Sequence, residues 1–203
     1  MAWRIKVGII GAGAIGRAFA RRLVRADIVA VISNQRGPAS LAPLVREIGG
    51  DLTAVTAHEA AGEEVVLLAV PWLGLPAAVA GIPDWEGRIV IDATNPIVTP
   101  DFGIADLGGR LSSEVVAGLV PGAHLVKAFN TLPAQLLGED PGSAGGRRVM
   151  FYSGDHARAK TEVGRLIERL GFAGIDLGRI AEGGRLQHVP DGPLPALNLV
   201  RFE

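Results

Sequence analysis

Residues 7 to 36 constrain the fold more than any other stretch of the chain. A hydrophobic run, Val7 to Ile10, feeds directly into Gly11-Ala12-Gly13-Ala14-Ile15-Gly16, after which Ile15, Phe19 and Leu23 recur at helical spacing. A second apolar run, Ile28 to Ile32, ends in Ser33-Asn34-Gln35-Arg36. Strand, glycine turn, helix and second strand in that order make a βαβ unit of the dinucleotide-binding kind. In such a unit Gly11 permits the tight turn, Gly13 lets the backbone approach a pyrophosphate, and Gly16 lets the helix sit close on the sheet. Ala14 and Ile15 fall in the first helical turn, whose positive end meets the pyrophosphate.

The tip of the second strand then selects the nucleotide. An NAD site usually places Asp or Glu there to accept hydrogen bonds from the ribose 2′-hydroxyl, and that carboxylate would repel a 2′-phosphate. This chain has Ser33, Asn34 and Arg36 instead, two neutral donors and a cation. The planar guanidinium of Arg36 can grip phosphate oxygens, a charge-assisted contact of about 1.5–3 kcal/mol. The pattern therefore favours NADP(H) over NAD(H).

Composition narrows the remaining classes. A chain of 203 residues fits a single domain with a sizeable core. The absence of cysteine excludes a disulfide scaffold, a thiol nucleophile and thiolate metal sites, and fits a cytoplasmic protein. A formal net charge of −1 gives no electrostatic basis for binding nucleic acid or an anionic membrane. The start, Met1 to Lys6, lacks the pattern of a signal peptide. Val65 to Pro83 is uncharged and near membrane-span length, but Pro71, Gly74, Pro76, Gly81 and Pro83 break it into a buried strand, a loop and a short helix.

Along the rest of the chain, short apolar runs alternate with helical patterns. Leu41 to Ile48 reads as a helix and Ala54-Val55 as a short strand. Val65 to Val70, Ile89 to Ile91 and His124 to Phe129 read as strands of a parallel sheet covered on both faces. Ser112 and Ser113 are placed to cap a helix beginning near Glu114, and Asp155 to cap one whose apolar face is Val163, Leu166, Ile167 and Leu170, with Gly171 ending it. Leu136 to Arg148 reads as a surface loop, Val149 to Tyr152 as a strand, and Phe172 to Leu177 as the last strand. The expected architecture is α/β, a doubly wound, mostly parallel Rossmann-type sheet forming one domain over 1–203. Residues 181–203 form a C-terminal extension too apolar for a disordered tail, covering the cofactor cleft, a partner subunit or its own domain.

In an open parallel sheet, ligands sit beyond the carboxyl ends of the strands. The residues there are Val70-Pro71-Trp72, then Asp92 to Pro96 including Asn95, then Asn130-Thr131-Leu132-Pro133-Ala134. Pro71 and Trp72 would supply an apolar wall near the nicotinamide ribose. Hydride transfer fits this inventory, because it needs two rings held face to face in a dry site while the cofactor brings the reactivity. No general acid or base stands out: His124 enters a strand and His188 lies in the tail. His58-Glu59 lacks the second histidine of HExxH, and Gly142-Ser143-Ala144-Gly145 lacks the first glycine of GxSxG, so neither a zinc protease nor a serine hydrolase is expected. No metal site is expected.

Six segments together carry a family resemblance: Gly11 to Gly16, Ser33 to Pro38, Ala69 to Trp72, Asp92 to Pro96, Val126 to Pro133 and Leu197 to Phe202. They are similar to the coenzyme F420-dependent NADP oxidoreductases and to the NADPH-binding domain of the STEAP metalloreductases. The resemblance implies NADP(H) along the sheet tips and a deazaflavin, coenzyme F420, stacked on the nicotinamide, with direct hydride transfer between them. It implies that Ser33, Asn34 and Arg36 hold the 2′-phosphate and that Val70 and Pro71 lie beside the nicotinamide half. It further implies that Asn130, Thr131, Pro133 and Ala134 line the deazaflavin pocket, closed by the Leu197 to Phe202 tail, and that the protein is a homodimer. The archaeal F420 enzymes carry a histidine where this chain has Asn130, which leaves the hydride partner open between F420 and another flavin. Two other readings compete. Reduction of a small carbonyl or imine is disfavoured, because such enzymes use an all-helical second domain. An NADPH-binding sensor without turnover is the alternative from another class, since the cofactor site is clearer than any substrate site.

Overall fold

The computed structural model describes residues 5–82, 85–98, 101–143 and 145–202. The expectations for residues 1–4, for Pro83, for Ala144 of the rejected hydrolase motif and for Glu203 at the end of the tail lie outside the described residues. The chain runs β1 (Val7–Ile10), α1 (Ala14–Arg25), β2 (Ala30–Ser33), α2 (Ala42–Ile48), β3 (Leu52–Ala54), α3 (Ala57–Ala61), β4 (Val65–Leu68), α4 (Leu75–Val79) and β5 (Ile89–Asp92). A small hairpin, β6 (Ile97–Val98) and β7 (Gly103–Ile104), precedes α5 (Ser112–Leu119), β8 (His124–Ala128), α6 (Ala134–Gly138) and β9 (Gly142–Ser143). β10 (Gly146–Gly154), α7 (Ala157–Arg169), β11 (Ala173–Asp176) and β12 (Val200–Phe202) complete it.

The main sheet has the order β11-β10-β8-β5-β4-β1-β2-β3. From β1 the chain winds outward to β2 and β3, then returns to β4 on the other side of β1 and continues to β5 and β8, all in parallel. Strand order therefore reverses between β1 and β4, the place where such sheets open a crevice at their carboxyl edge. The strands are buried on both faces, as their continuous apolar runs require. One core lies under α1, α2, α6 and α7 around Phe19, Leu23, Leu137 and Leu166, and the other under α3, α4 and α5 around Ala60, Leu75 and Val116.

Several local expectations are corrected. Leu136 to Arg148 is not a loop but contains α6, β9 and the start of β10, because Leu137 is fully buried and Gly138 packs on Ala18 of α1. Its Gly and polar residues serve a narrow β9–β10 hairpin. Ser112 and Ser113 lie inside the first turn of α5, both buried; the cap position is Leu111, whose N–H donates to the Glu114 carboxylate at 2.7 Å. His156, not Asp155, caps α7, with Nδ1 accepting from the Ala159 N–H, while Asp155 accepts from the Ile180 N–H. Gly171 does follow α7 with φ +92. β11 is not the last strand, since β12 pairs antiparallel with β10. β10 itself runs antiparallel to β8 and parallel to β11. Among the described residues, no helix is long and apolar enough to cross a membrane.

The C-terminal extension packs on its own chain. Ala196 N–H donates to Thr131 O at 2.8 Å, Val149 N–H to Leu199 O at 2.8 Å, and Arg148 Nε to Asn198 Oδ1 at 2.9 Å. Leu186, Leu197, Leu199 and Phe202 remain partly or largely exposed, so the apolar character of this segment is only partly used for burial.

Candidate functional site: a cleft at the tips of β1, β2 and β4

The glycine turn is built as its sequence requires. Gly11 has φ +113, and a Cβ there would stand 2.2 Å from the Ala69 carbonyl oxygen of the neighbouring strand tip. At Gly16 a Cβ would stand 1.9 Å from the Gly11 carbonyl oxygen, so only glycine allows α1 to lie this close to the turn. Gly13 differs, with nothing within 4 Å of an added Cβ. Its exposed backbone borders open space at the start of α1, which is where a pyrophosphate needs unobstructed N–H groups. Ala14 is exposed there, and Ile15 is half-buried against the core.

A cavity of about 580 Å³ opens at this point. Its floor is Ile10 to Gly13, one wall is Ser33 to Arg36 with Ala57 and His58, and the opposite wall is Ala69 to Pro71 with Ala77, Ala78 and Ile82. The lining is polar on the β2 side and apolar on the α4 side. Among the described residues, no Asp or Glu lines it. The residues present fit a phosphorylated dinucleotide: an open glycine cradle, a cation at the β2 tip and no competing carboxylate.

The three expected phosphate ligands are not equivalent. Ser33 is fully buried and its hydroxyl donates to Ile9 O at 3.0 Å, across to β1. The Asn34 side chain shapes its own loop, with Nδ2 donating to Ser40 Oγ at 2.9 Å and Oδ1 accepting from the Arg36 N–H at 2.9 Å. Arg36 is exposed and its guanidinium makes no hydrogen bond among the described residues. Asn34 therefore presents Arg36 to the cavity.

On the other side of the switch point, Trp72 is half-buried against the second core and Pro71 is exposed at the cavity rim. Asn95 and Asn130 meet: Asn95 Nδ2 donates to Asn130 O at 2.9 Å, and Asn130 Nδ2 donates to Asn95 Oδ1 at 3.0 Å and to Gln187 O at 2.8 Å. Gln187, fully buried, donates from Nε2 to Asn130 Oδ1 at 3.2 Å and accepts from the Ser153 hydroxyl at 2.7 Å. Both Asn130 amide protons and its oxygen are thus engaged within the protein. Thr131 is buried, Pro133 exposed and Ala134 half-buried; none of these four residues, nor the tail, lines the 580 Å³ cavity.

Two features had no signal in the pattern of apolar runs. Lys127 and Asp92, both without solvent exposure, pair at 2.9 Å, with Lys127 also donating to Thr94 O and Asp92 accepting from the Thr94 N–H and hydroxyl at 2.9 and 2.7 Å. This pair fixes the Thr94-Asn95 tip. Phe129 occupies the left-handed region with φ +63 while fully buried, a conformation costing a non-glycine residue about 1–3 kcal/mol, and it directs the chain into Asn130. His124 stacks on His156 at 3.6 Å, far from the cavity, at the start of β8. No group of three or more metal-ligating side chains occurs among the described residues.

Residues 6–96, which contain the whole cavity lining, match the family described as NADP oxidoreductase, coenzyme F420-dependent. The dinucleotide-binding half of the chain is thus similar to this family. The remainder follows related proteins. A Sinorhizobium meliloti protein, SMa0349, is 49% identical with a TM-score of 0.92, covering 98% of this chain and 96% of that one. An Arthrobacter sp. fb24 protein described as an F420-dependent NADP reductase is 26% identical with a TM-score of 0.77, covering 97% of this chain and 100% of that one. Rat metalloreductase STEAP3 is 29% identical over 193 residues, 94% of this chain but 37% of the relative. The chain thus spans little more than a third of the length of the curated relatives it matches, 37% and 36% for the two STEAP proteins.

Proposed function

We propose that the chain binds NADP(H) in this cleft and is an oxidoreductase passing hydride between the nicotinamide and coenzyme F420 or a related flavin-like acceptor. One observation carries the nucleotide assignment: among the described residues, the wall of the cavity at the β2 tip offers Arg36 and no carboxylate. The similarity to the coenzyme F420-dependent family and to the Arthrobacter F420-dependent NADP reductase supports the acceptor. In this reading the Gly11 to Gly16 turn, with Ala14 and Ile15, holds the pyrophosphate, and Arg36 with the Ser33-Asn34 backbone holds the 2′-phosphate. Val70, Pro71, Trp72 and Asn95 line the nicotinamide half, and the Asn130 to Ala134 corner faces the acceptor. When bound, NADPH supplies the hydride; the chain's residues bind, orient and keep water away.

The test is NADPH oxidation with F420, FMN and FAD offered separately, alongside titrations of NADPH and NADH. Turnover with F420 and tighter binding of NADPH than NADH is the expected result. Preference for NADH overturns the nucleotide assignment. A second reading, an NADPH sensor without turnover, draws on the internally satisfied Asn130 side chain, and tight NADPH binding with no acceptor reduced would select it.

A further inference from the structure

The β2 tip holds fewer free phosphate donors than its sequence suggests. Ser33 spends its hydroxyl on Ile9 O, and Asn34 spends both ends of its amide on Ser40 and the Arg36 N–H. A dianionic phosphate offers several oxygens, and one guanidinium fork addresses only two of them. The topology brings another candidate to the same wall. Val55 N–H donates to Ile32 O at 3.0 Å, so the chain leaving β3 is held beside β2 and α3 begins next to the β2 tip. Thr56 caps α3 by accepting from the Glu59 N–H at 3.2 Å, and Glu59 folds its carboxylate back onto the Thr56 N–H and hydroxyl, each at 2.8 Å. That reciprocal cap ties down the nearest acid. It leaves His58 exposed, lining the cavity with Ser33 to Arg36 and making no hydrogen bond among the described residues.

We infer that His58 is a specificity-determining residue that donates an imidazole N–H to the 2′-phosphate from the α3 side, beside the Arg36 guanidinium. Arg36 and His58 are the only side chains carrying or able to carry positive charge among the described residues lining the cavity. An imidazole keeps at least one N–H donor in either protonation state, so the contact does not depend on titration. Anchors from two separate elements, the β2–α2 loop and α3, fix where the phosphate sits more narrowly than one flexible arginine does. The ligand class is a nucleotide bearing a 2′-phosphate monoester, and the inference rests on the proposed NADP(H) reading of the cleft.

The test measures binding of 2′,5′-ADP and of 5′-ADP to the intact chain by calorimetry, for wild type, His58→Phe and His58→Gln. Phe keeps a flat ring and removes the donor; Gln keeps a donor. His58→Phe is expected to weaken 2′,5′-ADP about tenfold to a hundredfold, the loss of one hydrogen bond to a charged group, with 5′-ADP changed less than about twofold. His58→Gln should recover most of that loss. Equal weakening of both ligands by His58→Phe, or no weakening, overturns the inference by assigning His58 to the adenine ring or to no contact. If wild type binds the two fragments equally, the NADP(H) reading of the cleft fails, and the role of His58 fails with it. Because His58 is exposed, unchanged thermal unfolding of the variants is the control for folding.

Discussion

Replacing Lys127 with Met tests how the strand tips beside the cleft are held. Asp92 and Lys127 face each other in register on β5 and β8, and neither side chain reaches solvent. At 2.9 Å their attraction is about 6 kcal/mol with an effective dielectric of about 20, roughly matched by the several kcal/mol each ion loses on leaving water. The intact pair therefore contributes little net stability, yet removing one partner strands the other. In Lys127→Met, Asp92 keeps the Thr94 N–H and hydroxyl but loses its countercharge, and Thr94 O loses its donor. The expected cost is about 3–5 kcal/mol. For a chain of this size that corresponds to a fall of roughly 6–20 °C in Tm. Urea unfolding measures it, with Asp92→Asn and the double variant completing a cycle. The double variant should be more stable than the sum of the singles predicts by at least about 1 kcal/mol, because Asn can still accept from Thr94 without a buried charge. A cost under about 1 kcal/mol for Lys127→Met, or strict additivity in the cycle, refutes the reasoning.

Gly16→Ala and Gly13→Ala should separate fold from ligand. The first drives a Cβ into the Gly11 carbonyl and should cost about 3 kcal/mol in unfolding measurements, while the second meets open space and should leave stability within about 0.5 kcal/mol yet weaken NADPH binding more than about tenfold. Arg36→Ala should raise the Kd for NADPH by about tenfold to a hundredfold and leave NADH unchanged in fluorescence titration; equal effects on both nucleotides count against the phosphate contact. Stability should fall in acid. Burial, then His156 and Arg158, lowers the pKa of His124 from its ordinary 6.5, and burial, then Lys127 and Arg185, against an opposing Asp191, lowers that of His188. A folded-state pKa below the unfolded value means the unfolded chain binds more protons, so this stability is present above pH 6.5 and lost as pH falls through the lowered values. Urea midpoints at pH 7.5 and 5.5 should show the drop in wild type and a smaller one in a His124→Gln, His188→Gln variant.

The parts of this fold legible in the sequence are those set by local pattern. β1, α1, β2 and β4 follow from uninterrupted apolar runs and from the 3.6-residue spacing of Ile15, Phe19 and Leu23. Gly11 and Gly16 are legible because their roles are steric and local. Partner choice across the chain is not. Ser33 reads as a phosphate donor until β1 supplies the Ile9 carbonyl beside it, and Asn130 reads as a pocket residue until Gln187, 57 positions later, fills its bonding capacity. Lys127, inside a strand, gives no hint that Asp92 stands next to it, since register between β5 and β8 is settled only by packing. Leu136 to Arg148 misleads for the opposite reason, its many glycines hiding the fully buried Leu137 of α6, which packs in the core under α1.

The two sides of the switch point differ in what their polar groups face. On the β2 side the Arg36, Gln35 and His58 side chains form no hydrogen bonds among the described residues and turn to an open cavity, which suits a ligand bringing phosphate charge. On the β5–β8 side Asn95, Asn130, Gln187 and Ser153 bond to one another, and Asp92, Lys127 and Thr94 do the same beneath them. A surface with its donors already satisfied has no hydrogen-bonding demand of its own to impose on a guest. It can accept the flat face of a ring system at little desolvation cost, and it holds no proton to exchange with the reacting carbon. Hydride transfer asks for those conditions, whereas carbonyl reduction also needs a proton donor within reach of the new alkoxide. For the proposed flavin-like acceptor, whose reduced ring delocalises the incoming charge, a free acid among these described strand-tip residues is not required.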